Sequence, residues 1–176
     1  MNRKTMTGRD AVELLTLFEQ NKIEVWVDGG WGVDALLGYQ TRSHDDLDIA
    51  LCHNDVPKLR ELLEARGYTD VPRNDTRDCN FVLGDEYGRE VDVHSFVFDE
   101  QGKVIFGVPY PADSLTGTGA IEGLAIRCIS VEWMVKFHAG YTLDDNDYRD
   151  VLALCQRFDI LLPEEYKSWV TKDTID

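Results

Sequence analysis

Residues 29–48 read GGWGVDALLGYQTRSHDDLD: a glycine pair, an apolar stretch carrying Val33, Leu36 and Leu37, a stop at Gly38, and then two aspartates one residue apart. Side chains alternate along a strand, so Asp46 and Asp48 share one face about 7 Å apart, while Leu47, Ile49 and Leu51 take the other face and enter a core. Two carboxylates this close repel each other. The repulsion is relieved if both ligate a hard cation such as Mg²⁺, which prefers oxygen donors and is commonly shared with substrate phosphates. A strand with a solvated acidic face is the alternative. The glycine pair follows an apolar strand, IEVWV, and precedes a helix that runs to Gly38. There, missing side chains let phosphate approach backbone N–H groups and the positive end of the helix dipole.

Upstream, Ala11, Leu14, Leu15 and Phe18 recur at helical spacing and predict an amphipathic helix ending near Asn21. Downstream, Asn54 is the expected cap of a helix carrying Leu59, Leu62 and Leu63 and stopping at Gly67, with a strand from Tyr68. Residues 79–98, CNFVLGDEYGREVDVHSFVF, predict two antiparallel strands joined by a hairpin over Gly84 to Gly88. Residues 106–123 are so dense in Gly and Pro that a long loop is expected. LAIRCI reads as a returning strand. After Ser130, a candidate cap, the chain turns helical, first with Trp133 and Phe137 on one face and then with Tyr148, Val151, Leu152, Cys155 and Phe158. The pattern predicts an α/β (α+β) fold: a mixed sheet with flanking helices over residues 1–128, and a helical C-terminal segment over residues 129–176 packed on that core.

A third carboxylate, Asp92, lies in the alternating stretch Glu90-Val91-Asp92-Val93-His94. If its strand neighbours the Asp46 strand, Asp92 joins the same site, as a metal ligand or as the general base for an attacking hydroxyl. Glu90 and His94 share its face, where a plain polar strand surface is the simpler reading. Trp26, Trp31, Tyr87 and Tyr110 read first as core aromatics, and Asp28 equally as a turn residue or a ligand.

The chain has 176 residues, 43% of them hydrophobic, enough for one cored domain. Its 33 acidic and 18 basic side chains give a formal charge of −15, which argues against a protein that neutralises a nucleic-acid backbone. A metal or a cationic small molecule fits better. Cys52, Cys79, Cys128 and Cys155 form no C-x-x-C pair, so neither a zinc knuckle nor a redox motif is written here. No segment approaches the roughly 20 apolar residues of a membrane helix, and no apolar signal stretch follows the N-terminus. A cytoplasmic protein is expected.

The order strand, Gly-Gly, short helix, Asp-x-Asp strand, and then an apolar-Asp-apolar strand about forty residues later resembles the polymerase-beta-like nucleotidyltransferase superfamily. Within it, DGGWGVDALLG followed by R-x-H-D-D-L-D is similar to the lincosamide nucleotidyltransferases and the aminoglycoside adenylyltransferases. EYGREVDVHSF, RCIS and FHAGY are more similar to the lincosamide enzymes. The resemblance spans most of residues 10–160.

It implies a nucleotidyltransferase-type sheet, with Asp46 and Asp48 holding magnesium on a triphosphate and Gly29 and Gly30 cradling phosphate. Asp92 would be a metal ligand and the base. Arg42 and His44 would face the nucleotide phosphates, and Lys136, His138 and Tyr141 would lie where related enzymes place nucleotide or acceptor contacts. Lys136 departs from the lincosamide pattern, which is apolar there, and reads equally as a solvent-facing lysine. The implied reaction is in-line attack by an acceptor hydroxyl on the α-phosphorus of ATP, with two magnesium ions and release of pyrophosphate. The implied acceptor is a small, cationic, hydroxyl-bearing antibiotic, a lincosamide first and an aminoglycoside second. The resemblance also admits a homodimer. Two other readings stand beside it: a minimal nucleotidyltransferase that modifies a protein partner, and a non-catalytic nucleotide-binding module.

Overall fold

A computed structural model describes residues 5–139 and 143–170. In chain order its helices and strands are α1 (Gly8–Gln20), β1 (Val25–Val27), α2 (Gly29–Leu37), β2 (Asp46–Cys52), α3 (Val56–Glu64), β3 (Thr69–Val71), β4 (Asn80–Gly84), β5 (Glu90–Phe98), β6 (Val104–Gly107), β7 (Gly117–Ile121), β8 (Leu124–Cys128), α4 (Val131–Phe137), α5 (Asp145–Phe158) and α6 (Lys167–Val170). The strands form one mixed sheet in the order β3-β4-β5-β2-β1-β8-β7. β6 pairs with β5 at Phe96 to Phe98, beyond the reach of β4. The pairings β2/β5 and β1/β8 are parallel, and the others are antiparallel.

The sheet separates two apolar cores. On one side Leu47, Ile49 and Leu51 of β2 and Val91 and Val93 of β5 pack with Leu14 and Phe18 of α1 and Leu59 and Leu63 of α3. On the other side Ala50 of β2 and Phe96 of β5 pack with Met134 of α4 and Val151 and Leu154 of α5. Strand alternation explains the layout: Asp46 and Asp48 share the face of Ala50, and Glu90, Asp92 and His94 share that of Phe96. That face is therefore apolar toward the ends of β2 and β5, where the C-terminal helices cover it, and acidic toward their beginnings.

Helix α1 starts at a capping box in which Thr7 and Asp10 satisfy each other's backbone N–H groups. Helix α2 begins at Gly29 itself, so the glycine pair forms its first turn instead of preceding it, and Gly38 closes it in a left-handed conformation. Asn54 is not a helix cap. It lies in a 3₁₀ turn over His53–Asp55, and α3 starts at Val56 with Pro57 in its first turn, where a missing N–H is harmless.

The long loop expected over residues 106–123 is largely structured. It contains the end of β6, a 3₁₀ segment over Ala112–Thr116 and all of β7, which pairs antiparallel with β8. Its glycines mark close backbone approach. A Cβ on Gly117 would lie 2.5 Å from the Ile129 carbonyl oxygen, and one on Gly119 would lie 2.3 Å from that of Ala35 in α2.

That contact sets a test. Gly119→Ala forces α2 and β7 apart and should destabilise the fold by about 1–3 kcal/mol, the usual range for overpacking. Urea denaturation measures it; a variant as stable as the wild type would show that α2 does not rest directly on β7.

Candidate active site

The parallel register of β2 with β5 pairs Asp48 with Asp92 and Asp46 with Glu90. Burial is the largest influence on all three aspartates and raises their pKa values. For Asp48, the most strongly affected, the charges of Asp46, Asp92 and Asp28 push in the same direction. For Asp46 the next contributions come from Glu90 and Asp45, and for Asp92 the nearby His94 partly offsets the rise. His94 Nε2 lies 3.4 Å from Asp92 Oδ1. Among the described residues no lysine or arginine forms an ion pair with Asp46 or Asp48.

Asp48 presses directly on the start of α2. A Cβ at Gly29, whose φ is +55°, would lie 2.1 Å from Asp48 Oδ2, so this position requires glycine for both conformation and space. At Gly30 a Cβ would lie 2.4 Å from His44 Nδ1 and 2.8 Å from Arg42 Nη2. The structure thus gathers the carboxylates, the two glycines, Arg42 and His44 around the first turn of one helix.

The loop between α2 and β2 is fixed by Asp34, which is buried. Its Oδ1 accepts hydrogen bonds from Thr41 N (3.0 Å) and Thr41 Oγ1 (2.6 Å), and its Oδ2 accepts from His44 Nε2 (2.5 Å). The His44 ring also packs on Trp31 at 4.6 Å between centroids. His44 is consequently buried, with only its Nδ1 edge turned to Gly30. Arg42 reaches across to helix α5, where Asp150 Oδ2 accepts from its Nη2 at 2.8 Å.

Of the later residues, Lys136 and His138 have partners within their own helical segment. Lys136 is exposed, and its ammonium lies over the Trp133 ring, 4.1 Å from the centroid. His138 is buried, and its Nδ1 donates to the Met134 carbonyl oxygen in its own helix. Tyr141 lies outside the described residues.

Other residues enter that sequence patterns left open or passed over. Asp28 is the N-cap of α2: its Oδ1 accepts from Gly29 N at 2.8 Å, and its Oδ2 accepts from the Tyr110 hydroxyl at 2.7 Å. The same hydroxyl lies 3.2 Å from His94 Nδ1. The Tyr110 ring packs edge-on against Phe96 and Phe137, so this residue is a core aromatic with its polar end at the carboxylates. It ties the first turn of α2 to the strand that carries Asp92. No local pattern signals this, because the partners are 82 residues apart in the chain.

Among the described residues no three or more His, Cys, Asp or Glu side chains form a ready-made metal cage. The donor chemistry nonetheless fits a hard divalent ion. Half-buried, mutually repelling carboxylate oxygens without a cationic ion-pair partner at Asp46 and Asp48 suit an ion that takes one or two carboxylates and completes its shell with phosphate oxygens and water. A cavity of about 530 Å³ lies elsewhere, between the end of α1 and β8, and none of these residues lines it. The site is instead the open acidic end of the sheet face.

The model of the aminoglycoside-2''-adenylyltransferase family matches residues 10–154. A lincosamide resistance protein from Staphylococcus haemolyticus is 32% identical over 161 residues, spanning 88% of this chain and 98% of that protein. A 2''-aminoglycoside nucleotidyltransferase from Escherichia coli is 26% identical over 125 residues, spanning 70% of this chain and 67% of that one. Among solved structures, the lincomycin-bound lincosamide antibiotic adenylyltransferase LnuA superposes with a TM-score of 0.74 at 29% identity, covering 86% of this chain and 98% of its own. ANT(2'')-Ia in complex with adenylyl-2''-tobramycin, at 19% identity and a TM-score of 0.69, covers 85% of this chain and 88% of its own and shares the fold. The nucleotidyltransferase relatives imply a nucleotide co-substrate and a divalent metal. The chain belongs to the aminoglycoside-2''-adenylyltransferase family and is a nucleotidyltransferase.

Proposed function

We propose that the enzyme moves AMP from ATP to a hydroxyl of a small, amine-bearing antibiotic, a lincosamide first and an aminoglycoside second, and releases pyrophosphate. The observation that carries this reading is the pairing of Asp48 with Asp92 beside the first turn of α2. The lincosamide preference rests on the Staphylococcus haemolyticus relative, which this chain matches over nearly its whole length. The charge of −15 suits an acceptor that carries an amine.

In this reading the triphosphate lies against the first turn of α2 at Gly29 and Gly30, with the Gly30 N–H facing it and the Gly29 N–H shared with the Asp28 cap, where the helix dipole favours negative charge. Arg42 meets its oxygens, and His44 Nδ1 would join it as a donor with the imidazole protonated on both nitrogens, since Nε2 already donates to Asp34. Asp46 and Asp48 would hold magnesium, with Asp92 as a further ligand for a second ion. Bound metal would supply charge neutralisation on the attacking and leaving oxygens. Asp92 takes the proton of the acceptor hydroxyl, a task helped by the burial that raises its pKa toward working pH. Phosphoryl transfer of this kind depends mainly on positioning and electrostatics, which explains why so many groups serve to hold others in place.

The direct experiment measures pyrophosphate release with ATP and magnesium across lincosamides and aminoglycosides, with mass spectrometry of the product. Magnesium-dependent release with lincomycin and a product heavier by one adenylyl group is expected. Release with no compound of either class would contradict the proposed acceptor.

Asp46→Asn and Asp48→Asn should each abolish turnover without unfolding the protein. The raised pKa values of Asp46, Asp48 and Asp92 mean that the folded chain holds these protons more tightly than the unfolded one. The corresponding stability is present below the ordinary aspartate value of 3.8 and is lost as pH rises through the raised values. Asp48→Asn should therefore melt above the wild type at pH 7 in the absence of metal, and the gap should shrink on acidification. A variant that melts lower at pH 7 would rule out the repulsion. For Asp92→Asn, turnover should fall by roughly 10²–10⁴-fold, the scale of lost general-base catalysis, while calorimetry shows near wild-type affinity for Mg·ATP. Loss of that affinity would make Asp92 chiefly a ligand, and full turnover would remove it from the site.

A further inference from the structure

We propose that Asp150, on helix α5, is a positioning residue that holds the Arg42 guanidinium over Gly30, so that the C-terminal helical segment forms part of the nucleotide site. The inference rests on the reading of Arg42 as a phosphate ligand. Asp150 stands 108 residues from Arg42 in sequence and grips it side-on, with Oδ2 accepting from Nη2 at 2.8 Å and Oδ1 from Nε at 3.4 Å. Side-on pairing fixes the plane of the guanidinium as well as its place.

Arg42 has five N–H donors. Asp150 takes two, and the Ser43 carbonyl oxygen accepts one from Nη1 at 3.4 Å, which leaves two. The side chain keeps 30% of its surface exposed, so those two can meet a ligand. The guanidinium's position is the telling one, since Nη2 lies 2.8 Å from where a Gly30 Cβ would stand. A long arginine side chain without a partner would sample many rotamers and lose entropy on meeting a phosphate. Asp150 removes that freedom beforehand.

The anchor is itself rigid. Asp150 is 3% exposed and precedes Val151, which together with Leu154 is buried in the second core. Asp144, at the N-cap of the same helix, adds to the field that keeps Arg42 charged despite partial burial. A purely structural ion pair would tie α5 to the loop and do nothing for the nucleotide.

The two roles separate in a double-mutant cycle on the full chain, with Mg·ATP affinity read by calorimetry and folding read by thermal melting. Asp150→Asn keeps the volume and should weaken Mg·ATP binding by about tenfold, the scale of one charge-assisted hydrogen bond. With lincomycin as acceptor, KM for ATP should rise while KM for lincomycin does not. Arg42→Gln should weaken ATP binding at least as much, and the double variant should bind ATP no worse than Arg42→Gln alone. Should Asp150→Asn fail to fold, Asp150→Glu, which keeps the charge but displaces the carboxylate by one methylene, is measured in its place: a folded variant with weakened Mg·ATP binding supports the inference, and wild-type affinity overturns it. Wild-type affinity in Asp150→Asn, or effects that add in the double variant, would leave Asp150 a structural residue. Wild-type affinity in Arg42→Gln would overturn the phosphate role of Arg42 and this inference with it.

Discussion

The parallel pairing of β2 with β5 is the constraint on which the rest of the site depends. Register converts two sequence features 44 residues apart, Asp48 and Asp92, into adjacent positions on one sheet face. A slip of one residue between the two strands would put Asp48 and Asp92 on opposite faces, turning one of them into the apolar core and bringing Leu47 or Val91 out of it. The core residues on the opposite face, Leu47, Ile49, Val91 and Val93, are all fully buried and hold the register. Hydrophobic burial on one side of the sheet is therefore what places the chemistry on the other.

The placement stores a conflict. Three carboxylates approach each other in a partly desolvated setting, and each has its pKa raised by burial and by like charge. His94 only partly offsets the rise at Asp92, and the other polar groups do not neutralise the cluster. They instead fix the framework: Asp28 caps α2 and receives the Tyr110 hydroxyl, Asp34 pins His44 and Thr41, and Asp150 holds Arg42. Unresolved negative charge beside a helix N-terminus with an arginine over it suits a ligand that brings both a cation and phosphate oxygens.

Much of this was legible in the chain because it rests on short periods. Alternation around Asp46 to Leu51 and Glu90 to His94 gave the strands and the shared faces, and the antibiotic nucleotidyltransferase family was readable from the same motifs. Residues 106–123 were misread for a physical reason: Gly117 and Gly119 look like loop glycines locally, yet they are glycine because α2 and the chain at Ile129 pass too close for a side chain. Tyr110 and Asp150 were out of reach for another. Each has a partner 82 or 108 residues away, and no periodicity encodes such a pair. Asn54 is not the cap because the chain takes a 3₁₀ turn over His53–Asp55 before α3 begins at Val56.

In the proposed function the aspartates of β2 and the first turn of α2 bind one magnesium-nucleotide complex between them. A crystal structure of the chain with magnesium and a non-hydrolysable ATP analogue tests this most directly. The triphosphate is expected against the first turn of α2 at Gly29 and Gly30, with a magnesium ion about 2.1 Å from oxygens of Asp46 and Asp48. A triphosphate bound away from α2, or a magnesium ion that touches neither aspartate, would contradict it.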